Sequence, residues 1–286
     1  MLIFDNKLAL TSHIKSVSDS KTSIGFVPTM GALHAGHLSL LQESLNNNEI
    51  NVISIFVNPT QFNNPEDLAK YPRTLDSDIE KIKTISDKFI VYAPTIDDIY
   101  EGKTVSGQFE YDGLENQMEG KFRPGHFNGV GTIVKKLFEI VKPTNAYFGE
   151  KDFQQLQIVR KMVQKHKLKV NIVCCPIFRE PNGLAMSSRN ERLTIEEREK
   201  AAIIFETLQK VIEMYKIGTI PVSKIKDWVT KKFLKNKDFK LEYFDIADEK
   251  TLISAARKNK TKDFRAFIAV FINNIRLIDT ISLKII

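Results

Sequence analysis

The sequence predicts an α/β protein in which a parallel sheet, covered by helices on both faces, is followed by a smaller α+β unit. Apolar strand-like runs alternate with helical periodicity through the first two thirds of the 286 residues, the pattern of repeated strand–helix–strand units. After Ser187-Ser188-Arg189 the pattern changes to long helices and then strands, which sets a boundary near Pro176–Glu180 and expected domains at 1–178 and 179–286. Hydrophobic residues make up 42% and charged residues 27%, a balance that can bury a sizeable core.

The elements follow in order. Ile24–Val27 reads as a short buried strand. After the Pro28–Gly31 break, leucines at 38, 40, 41 and 45 recur at helical spacing, so a helix is expected over about His37–Leu45. Val52–Val57 is the next strand, bounded by Asn58-Pro59. A helix over Ile79–Ile85, a strand over Phe89–Tyr92, a helix over Gly129–Val141, a strand over Ala146–Phe148, a helix over Phe153–Lys165 and a strand over Val170–Cys174 complete the alternation. Near-continuous apolar runs of this kind suit strands buried on both faces. Beyond them, one long helix is expected from Thr194 to about Lys216, opened by a Thr194/Glu197 capping box. A second helix, about Val222–Lys235, follows the Gly218–Pro221 break. Leu241–Ile246, Ala266–Phe271 and Ile275–Ile278 read as strands, the last two joined across Asn273-Asn274.

Composition narrows the function. No apolar run reaches membrane-spanning length, and the start MLIFDNKLALTSH lacks the charged opening and long apolar stretch of a signal peptide. Cys174 and Cys175 are adjacent inside an apolar run, as free thiols in a reducing cytoplasm would be. The net charge of +7 is spread through helices that also carry acidic residues, without the basic stripe and interleaved aromatics of a nucleic-acid surface. Such a surface suits an enzyme that gathers small anions.

The segment Pro28–His37 (PTMGALHAGH) is a strand-to-helix turn with two histidines three apart. A helix start offers backbone N–H groups and partial positive charge to a phosphate, and imidazoles can donate to phosphate oxygens. The same pair can also simply cap the helix or pack in the core. No Cys, Asp or Glu stands nearby to complete a metal set. In an open parallel sheet, ligands bind beyond the carboxyl ends of the strands at the switch point. The His34/His37 turn, Asn58-Pro59-Thr60-Gln61 and Gly149-Glu150-Lys151-Asp152 all directly follow strands.

Four islands stand out in order: Pro28–His37, Phe56–Phe62 (FVNPTQF), Gly149–Asp152 with Gln155 (GEKDFQQ), and Met186–Arg189 (MSSR). Together with Asn190, and with Gly120-Lys121-Phe122-Arg123-Pro124-Gly125-His126-Phe127, they resemble the pantothenate synthetases, ATP-dependent ligases that join pantoate to β-alanine. The resemblance runs over nearly the whole chain. It implies a cytoplasmic homodimer with a Rossmann-like N-terminal domain, a smaller C-terminal domain that closes over ATP, and Mg²⁺ carried with the nucleotide. No tightly bound organic cofactor, nucleic acid or membrane is expected.

Carried over by position, the resemblance gives ATP to Met30, Gly31, Ala32, Leu33, His34, Ala35, Gly36 and His37, to Gly149, Glu150, Lys151 and Asp152, to Phe178, and to Met186, Ser187, Ser188 and Arg189. Position 178 is usually aliphatic in the family; if the contact there runs through the backbone, the aromatic side chain changes little. His37 is implied as proton donor, with His34 and Lys151 as its catalytic companions. Gln61 and Gln155 are implied to hold pantoate, and Gln61 also to meet β-alanine. Asn58, Tyr71 and Arg123 are expected supporting residues, and Cys175–Gly183 the hinge. A nucleotidylyltransferase with the same histidine motif is the nearest rival, and it would not need the two glutamines. A tRNA synthetase would need a longer chain after Arg189.

Overall fold

Six parallel strands build the first sheet: β1 (Leu2–Phe4), β2 (Ile24–Thr29), β3 (Ile50–Ile55), β4 (Ile90–Tyr92), β5 (Asn145–Gly149) and β6 (Asn171–Cys175). In the computed structural model, which describes residues 1–63 and 65–284, their spatial order is β1-β4-β3-β2-β5-β6. β2, β3 and β4 step outward on one side, and β5 and β6 on the other. The order therefore reverses between β2 and β5, which pair in parallel at Gly25–Asn145 and Phe26–Ala146. That reversal opens a crevice beyond the carboxyl ends of two adjacent strands, the switch point of an open α/β sheet.

The central strands β2, β3 and β4 are buried because their side chains are apolar on both faces. Phe26, Val27, Val52, Ile53 and Val91 have no exposed surface, each contributing about 1.5–3 kcal/mol of burial. The covering helices are α1 (Lys7–Val17), α2 (Ala35–Asn47), α3 (Pro65–Lys70), α4 (Leu75–Lys83), α5 (Ile96–Tyr100), α6 (Met118–Phe122), α7 (His126–Val141) and α8 (Phe153–His166). Leu40 and Leu41 of α2 and Ile82 of α4 join Val27, Ile53, Phe89, Val91 and Tyr147 in one apolar cluster.

The chain divides into two compact units: Met1–Glu150 with Gln155–Pro176, and Lys151–Gln154 with Ile177–Ile286. In the second unit, α9 (Ile195–Lys200), α10 (Ile203–Lys216) and α11 (Val222–Leu234) precede β7 (Phe239–Asp248), β8 (Phe264–Ile272) and β9 (Ile275–Ser282). These three strands form an antiparallel sheet in the order β7-β8-β9. Its apolar face and the helices share a core containing Leu208, Val211, Ile225, Val229, Phe233, Ile246, Ile268 and Val270.

One expected element divides. The long helix from Thr194 to Lys216 is two helices, because the backbone tightens at Ala201-Ala202. Ala202 N–H donates to Glu199 and Ile204 N–H to Ala201, both three residues back. Such a tight turn redirects a helix without proline or glycine. The Thr194/Glu197 capping box opens α9 as expected, with Glu197 N–H donating to Thr194 Oγ1 at 3.2 Å and Thr194 N–H to Glu197 Oε2 at 2.8 Å. The helix expected over Ile79–Ile85 is α4, which begins earlier at Leu75, whereas β1, α1, α3, α5 and α6 are elements the sequence reading does not contain.

Candidate active site

β2 ends at Thr29, and the turn to α2 needs backbone that bends back on itself. Gly31 lies at φ +82° and Ala32 at φ +50°, both in the left-handed region, which costs an alanine about 1–2 kcal/mol. Asp78 of α4 stabilises it. Its carboxylate, fully buried, accepts Ala32 N–H at 3.0 Å, Leu33 N–H at 2.7 Å and the Thr74 hydroxyl at 3.2 Å. Lys81, one turn further along α4, donates to the Leu33 carbonyl at 2.7 Å.

His34 is the residue that caps α2, and His37 is the third residue of that helix. The His34 N–H donates to His37 Nδ1 at 3.3 Å, and the two rings lie 4.0 Å apart, tilted by 31°. With Nδ1 accepting, the neutral His37 ring carries its proton on Nε2. The bond that caps the helix thus also selects the His37 tautomer with its proton on Nε2.

The second island is a 3₁₀ turn, Pro59–Gln61, set against α7. Gly129 makes that approach possible: a Cβ there would come within 2.3 Å of the Thr60 carbonyl oxygen and 2.6 Å of Gln61 Cα. Buried Asn58 organises the turn by donating to the Gly129 carbonyl at 3.1 Å and to Gln61 Oε1 at 3.2 Å. Its own Oδ1 accepts from the Tyr100 hydroxyl at 2.6 Å and from Thr60 at 3.2 Å. Burial raises the Tyr100 pKa against the opposing effect of its own hydrogen bonds with Thr60 and Asn58. His126 Nδ1 lies 2.8 Å from the Gln61 carbonyl oxygen. The Gln61 amide nitrogen reaches Met30 Sδ at 2.8 Å. The amide turn and the histidine turn therefore touch.

Gln155 is the third residue of α8, in the first unit, whose strand β5 ends at Gly149 and is followed by Glu150. Of the supporting residues, Asn58 belongs to this network. Tyr71 packs edge-on against Phe62 at 5.7 Å, and Arg123 lies 3.8 Å from Glu119.

Lys151, Asp152, Phe178 and Met186–Arg189 belong to the second unit. Lys151 Nζ is 3.2 Å from Asp152. The Phe178 carbonyl accepts Met186 N–H at 2.9 Å, and Arg179 bridges to Ala185, so the segment doubles back on itself around Gly183 at φ +90°. Ser187 caps a 3₁₀ turn, Ser188–Arg192, by accepting Arg189 N–H at 3.3 Å. The base of this loop is ionic. Arg179 makes a two-pronged contact with Asp279 of β9 at 2.6 and 3.0 Å, and Glu180 does the same with Arg198 of α9 at 2.7 and 2.9 Å.

Sequence reading had not picked out Asp78, Lys81, Tyr100 or Gly129 as site residues. Each acts through backbone or side chains more than 40 positions away, for which the local pattern carries no signal.

The family model for pantoate-beta-alanine ligases matches residues 2–282. The pantothenate synthetase of Flavobacterium psychrophilum is 64% identical over 284 residues, covering 99% of this chain and 100% of that protein. The crystal structure of pantothenate synthetase from Thermus thermophilus matches with a TM-score of 0.90 at 35% identity, covering 100% of both chains. Pantoate-beta-alanine ligase from Francisella tularensis, complexed with beta-gamma ATP and beta-alanine, matches with a TM-score of 0.81 at 35% identity, covering 100% of this chain and 98% of that one.

Proposed function

The chain belongs to the pantoate-beta-alanine ligase family, and we propose that it condenses pantoate with β-alanine through a pantoyl adenylate, releasing pyrophosphate and then AMP. The contact between Gln61 and Met30 at 2.8 Å carries this reading. It joins an amide suited to a hydroxy acid to a helix-start turn suited to phosphate, so a carboxylate held by one faces a phosphate held by the other.

In the first step the pantoate carboxylate oxygen attacks the α-phosphorus of ATP, and the bond to the β-phosphate oxygen breaks. The protein supplies no covalent nucleophile. It contributes position and stabilisation of the charge that moves onto phosphate oxygens. Met30–His37, with Gly149 and Glu150, cradle the nucleotide. His37 donates from Nε2 and His34 lies beside it. The second unit contributes Lys151, Asp152, the Phe178 backbone and Met186–Arg189, and its closure over ATP shields the adenylate from water. Among the described residues no group of three or more His, Cys, Asp or Glu side chains is arranged to hold a metal ion. In this reading Mg²⁺ enters with the nucleotide as its counter-ion.

In the second step the β-alanine amine attacks the acyl carbon of the adenylate and AMP leaves. Gln61 and Gln155 hold the pantoyl hydroxyls, and Gln61 also meets the incoming amino acid. The enzyme works as a homodimer in the cytoplasm. No helix among the described residues is long and apolar enough to cross a membrane.

Protein incubated with ATP, Mg²⁺, pantoate and β-alanine should give AMP and pyrophosphate, with pyrophosphate release requiring pantoate. ADP and inorganic phosphate in their place would overturn the adenylate route. A Gln61→Ala variant should lose pantoate affinity more than ATP affinity in calorimetry, and equal losses would reduce Gln61 to a loop-shaping role.

A further inference from the structure

We propose that Asp78 and Lys81 are positioning residues, a pair on α4 that sets the Gly31–Leu33 turn in the shape a nucleoside triphosphate requires. The inference rests on the reading of that turn as the nucleotide site.

The turn does not hold its own shape. Two successive residues in the left-handed region, one of them an alanine, persist only where surrounding contacts over-determine them. α4 supplies those contacts from one face. The two carboxylate oxygens of Asp78 take Ala32 N–H at 3.0 Å and Leu33 N–H at 2.7 Å, and Lys81 takes the Leu33 carbonyl at 2.7 Å. Leu33 is thus gripped on its N–H by one side chain of α4 and on its carbonyl by another. Thr74 donates to the same carboxylate at 3.2 Å and fixes its rotation.

The next residue along is His34, the cap of α2, whose N–H sets the His37 ring. A change at Leu33 therefore propagates directly to both imidazoles. Asp78 has no exposed surface, so it acts on the nucleotide through the turn and not by contact. It also fills the space beside Gly31, where a Cβ would come within 3.0 Å of Oδ2. A carboxylate beneath a polyanion site is otherwise unfavourable. Its place is explained by hydrogen bonding, because its two carboxyl oxygens together accept from two adjacent N–H groups and a hydroxyl.

The test is steady-state kinetics on the full chain, with ATP and pantoate each varied in turn while the other substrates are saturating, joined to amide hydrogen exchange over residues 31–34. Asp78→Asn keeps the size but turns an NH₂ group toward one of the two N–H donors. The KM for ATP should rise about tenfold or more, the size expected for losing a hydrogen bond to a charged group, while the KM for pantoate stays within about twofold. Exchange at Ala32 and Leu33 should quicken. Lys81→Met should move the same readouts in the same direction by less, and it decides the matter if Asp78→Asn does not fold. An unchanged KM for ATP in Lys81→Met and in folded Asp78→Asn, or parallel losses for both substrates, overturns the pair as positioning residues. His37→Ala separates the two ideas. If it too leaves ATP binding untouched, the nucleotide reading of the turn has failed, whereas a loss there alone rejects only the role of α4.

Discussion

The turn at residues 30–34 and the loop at residues 177–187 are both irregular backbone proposed to meet the same nucleotide, yet different forces hold them. The first is held by shape: two left-handed residues, a buried carboxylate accepting backbone N–H groups, and a lysine on a carbonyl. The second is held by charge: Arg179 on Asp279, Glu180 on Arg198, and Asn190 donating to Glu180 at 2.7 Å. Shape of the first kind is local to a neighbouring helix. The ionic base of the second draws on β9, 100 positions from Arg179, so the loop acquires its form only when its whole unit has folded. The two should therefore respond oppositely to substitution, the first losing activity before stability and the second losing stability before activity.

The largest effect is expected at Arg179. Asp279 is 2% exposed, and Arg179→Met would leave that carboxylate without its cation, a change that costs about 3–5 kcal/mol when one partner of a buried pair is removed. The chain has one tryptophan, Trp228, and it packs against the core of the second unit. Its fluorescence reports the unfolding of that unit. A denaturation midpoint that does not move in Arg179→Met would break the contrast, since the loop would then not depend on charge.

His37→Ala should come next, lowering single-turnover adenylate formation about 10²–10³-fold, the usual cost of one preorganised donor at developing charge. Lys151→Ala should fall in the same range. The Trp228 transition should be little altered in His37→Ala, because the lost bonds belong to a helix start in the first unit. Adenylation within a few-fold of the parent rate would make the paired imidazoles a capping device only.

Gly31→Ala is a smaller change and sharpens what shape means here. At φ +82°, any side chain costs about 1–2 kcal/mol, and the added Cβ meets Asp78 Oδ2 at 3.0 Å and Ile55 Cγ2 at 3.1 Å. The expected outcome is a higher KM for ATP with the pantoate KM retained. Parallel rises in both would mean that the strain spreads beyond the turn.

The same contrast explains what the sequence made legible. β2, β3, β4 and β5 could be read because their apolar runs are buried on both faces, β6 from its apolar run although only Cys175 in it is buried, and α2, α7 and α8 because their periodicity is sustained. β1 has only three residues, with Leu2 and Ile3 about half exposed, so it presents no run to detect. α1 had a signal in Asn6, whose side chain accepts Ala9 N–H, and in Leu10 and Ile14 on its buried face. The motif residues of the candidate site were legible as islands at strand ends. Asp78 was not, because an aspartate between Ser77 and Ile79 on an amphipathic helix looks like a solvated one. Its function lies 45 positions back, at Leu33. Arg179 and Asp279 were hidden for the same reason. Local pattern reveals what touches the ligand better than what holds those residues in place.

The smallest expected effect tests whether charge-held structure extends through the second unit. At the end of β7, Asp248 Oδ1 accepts N–H from Lys250 at 3.0 Å and from Thr251 at 2.8 Å, together with the Thr251 hydroxyl at 3.0 Å. Its other oxygen lies 3.3 Å from Lys262 Nζ. Burial works to raise the Asp248 pKa, but the bonds from Thr251, Lys262 and Lys250 outweigh it and hold it below the ordinary 3.8. A carboxyl whose pKa is depressed by folding contributes stability that is present above its unfolded value. That contribution is lost as the pH falls through the lower, folded value. The second unit should therefore weaken on acidification below about pH 4 by Trp228 fluorescence, with Asp248 supplying part of the slope. Asp248→Asn should lower stability at pH 7 by about 1 kcal/mol, the worth of a typical hydrogen bond, and flatten the acid limb, since the amide has no proton to gain. An acid limb as steep in Asp248→Asn as in the parent chain would assign the loss to other carboxylates and confine charge-held structure to the Arg179 and Glu180 pairs.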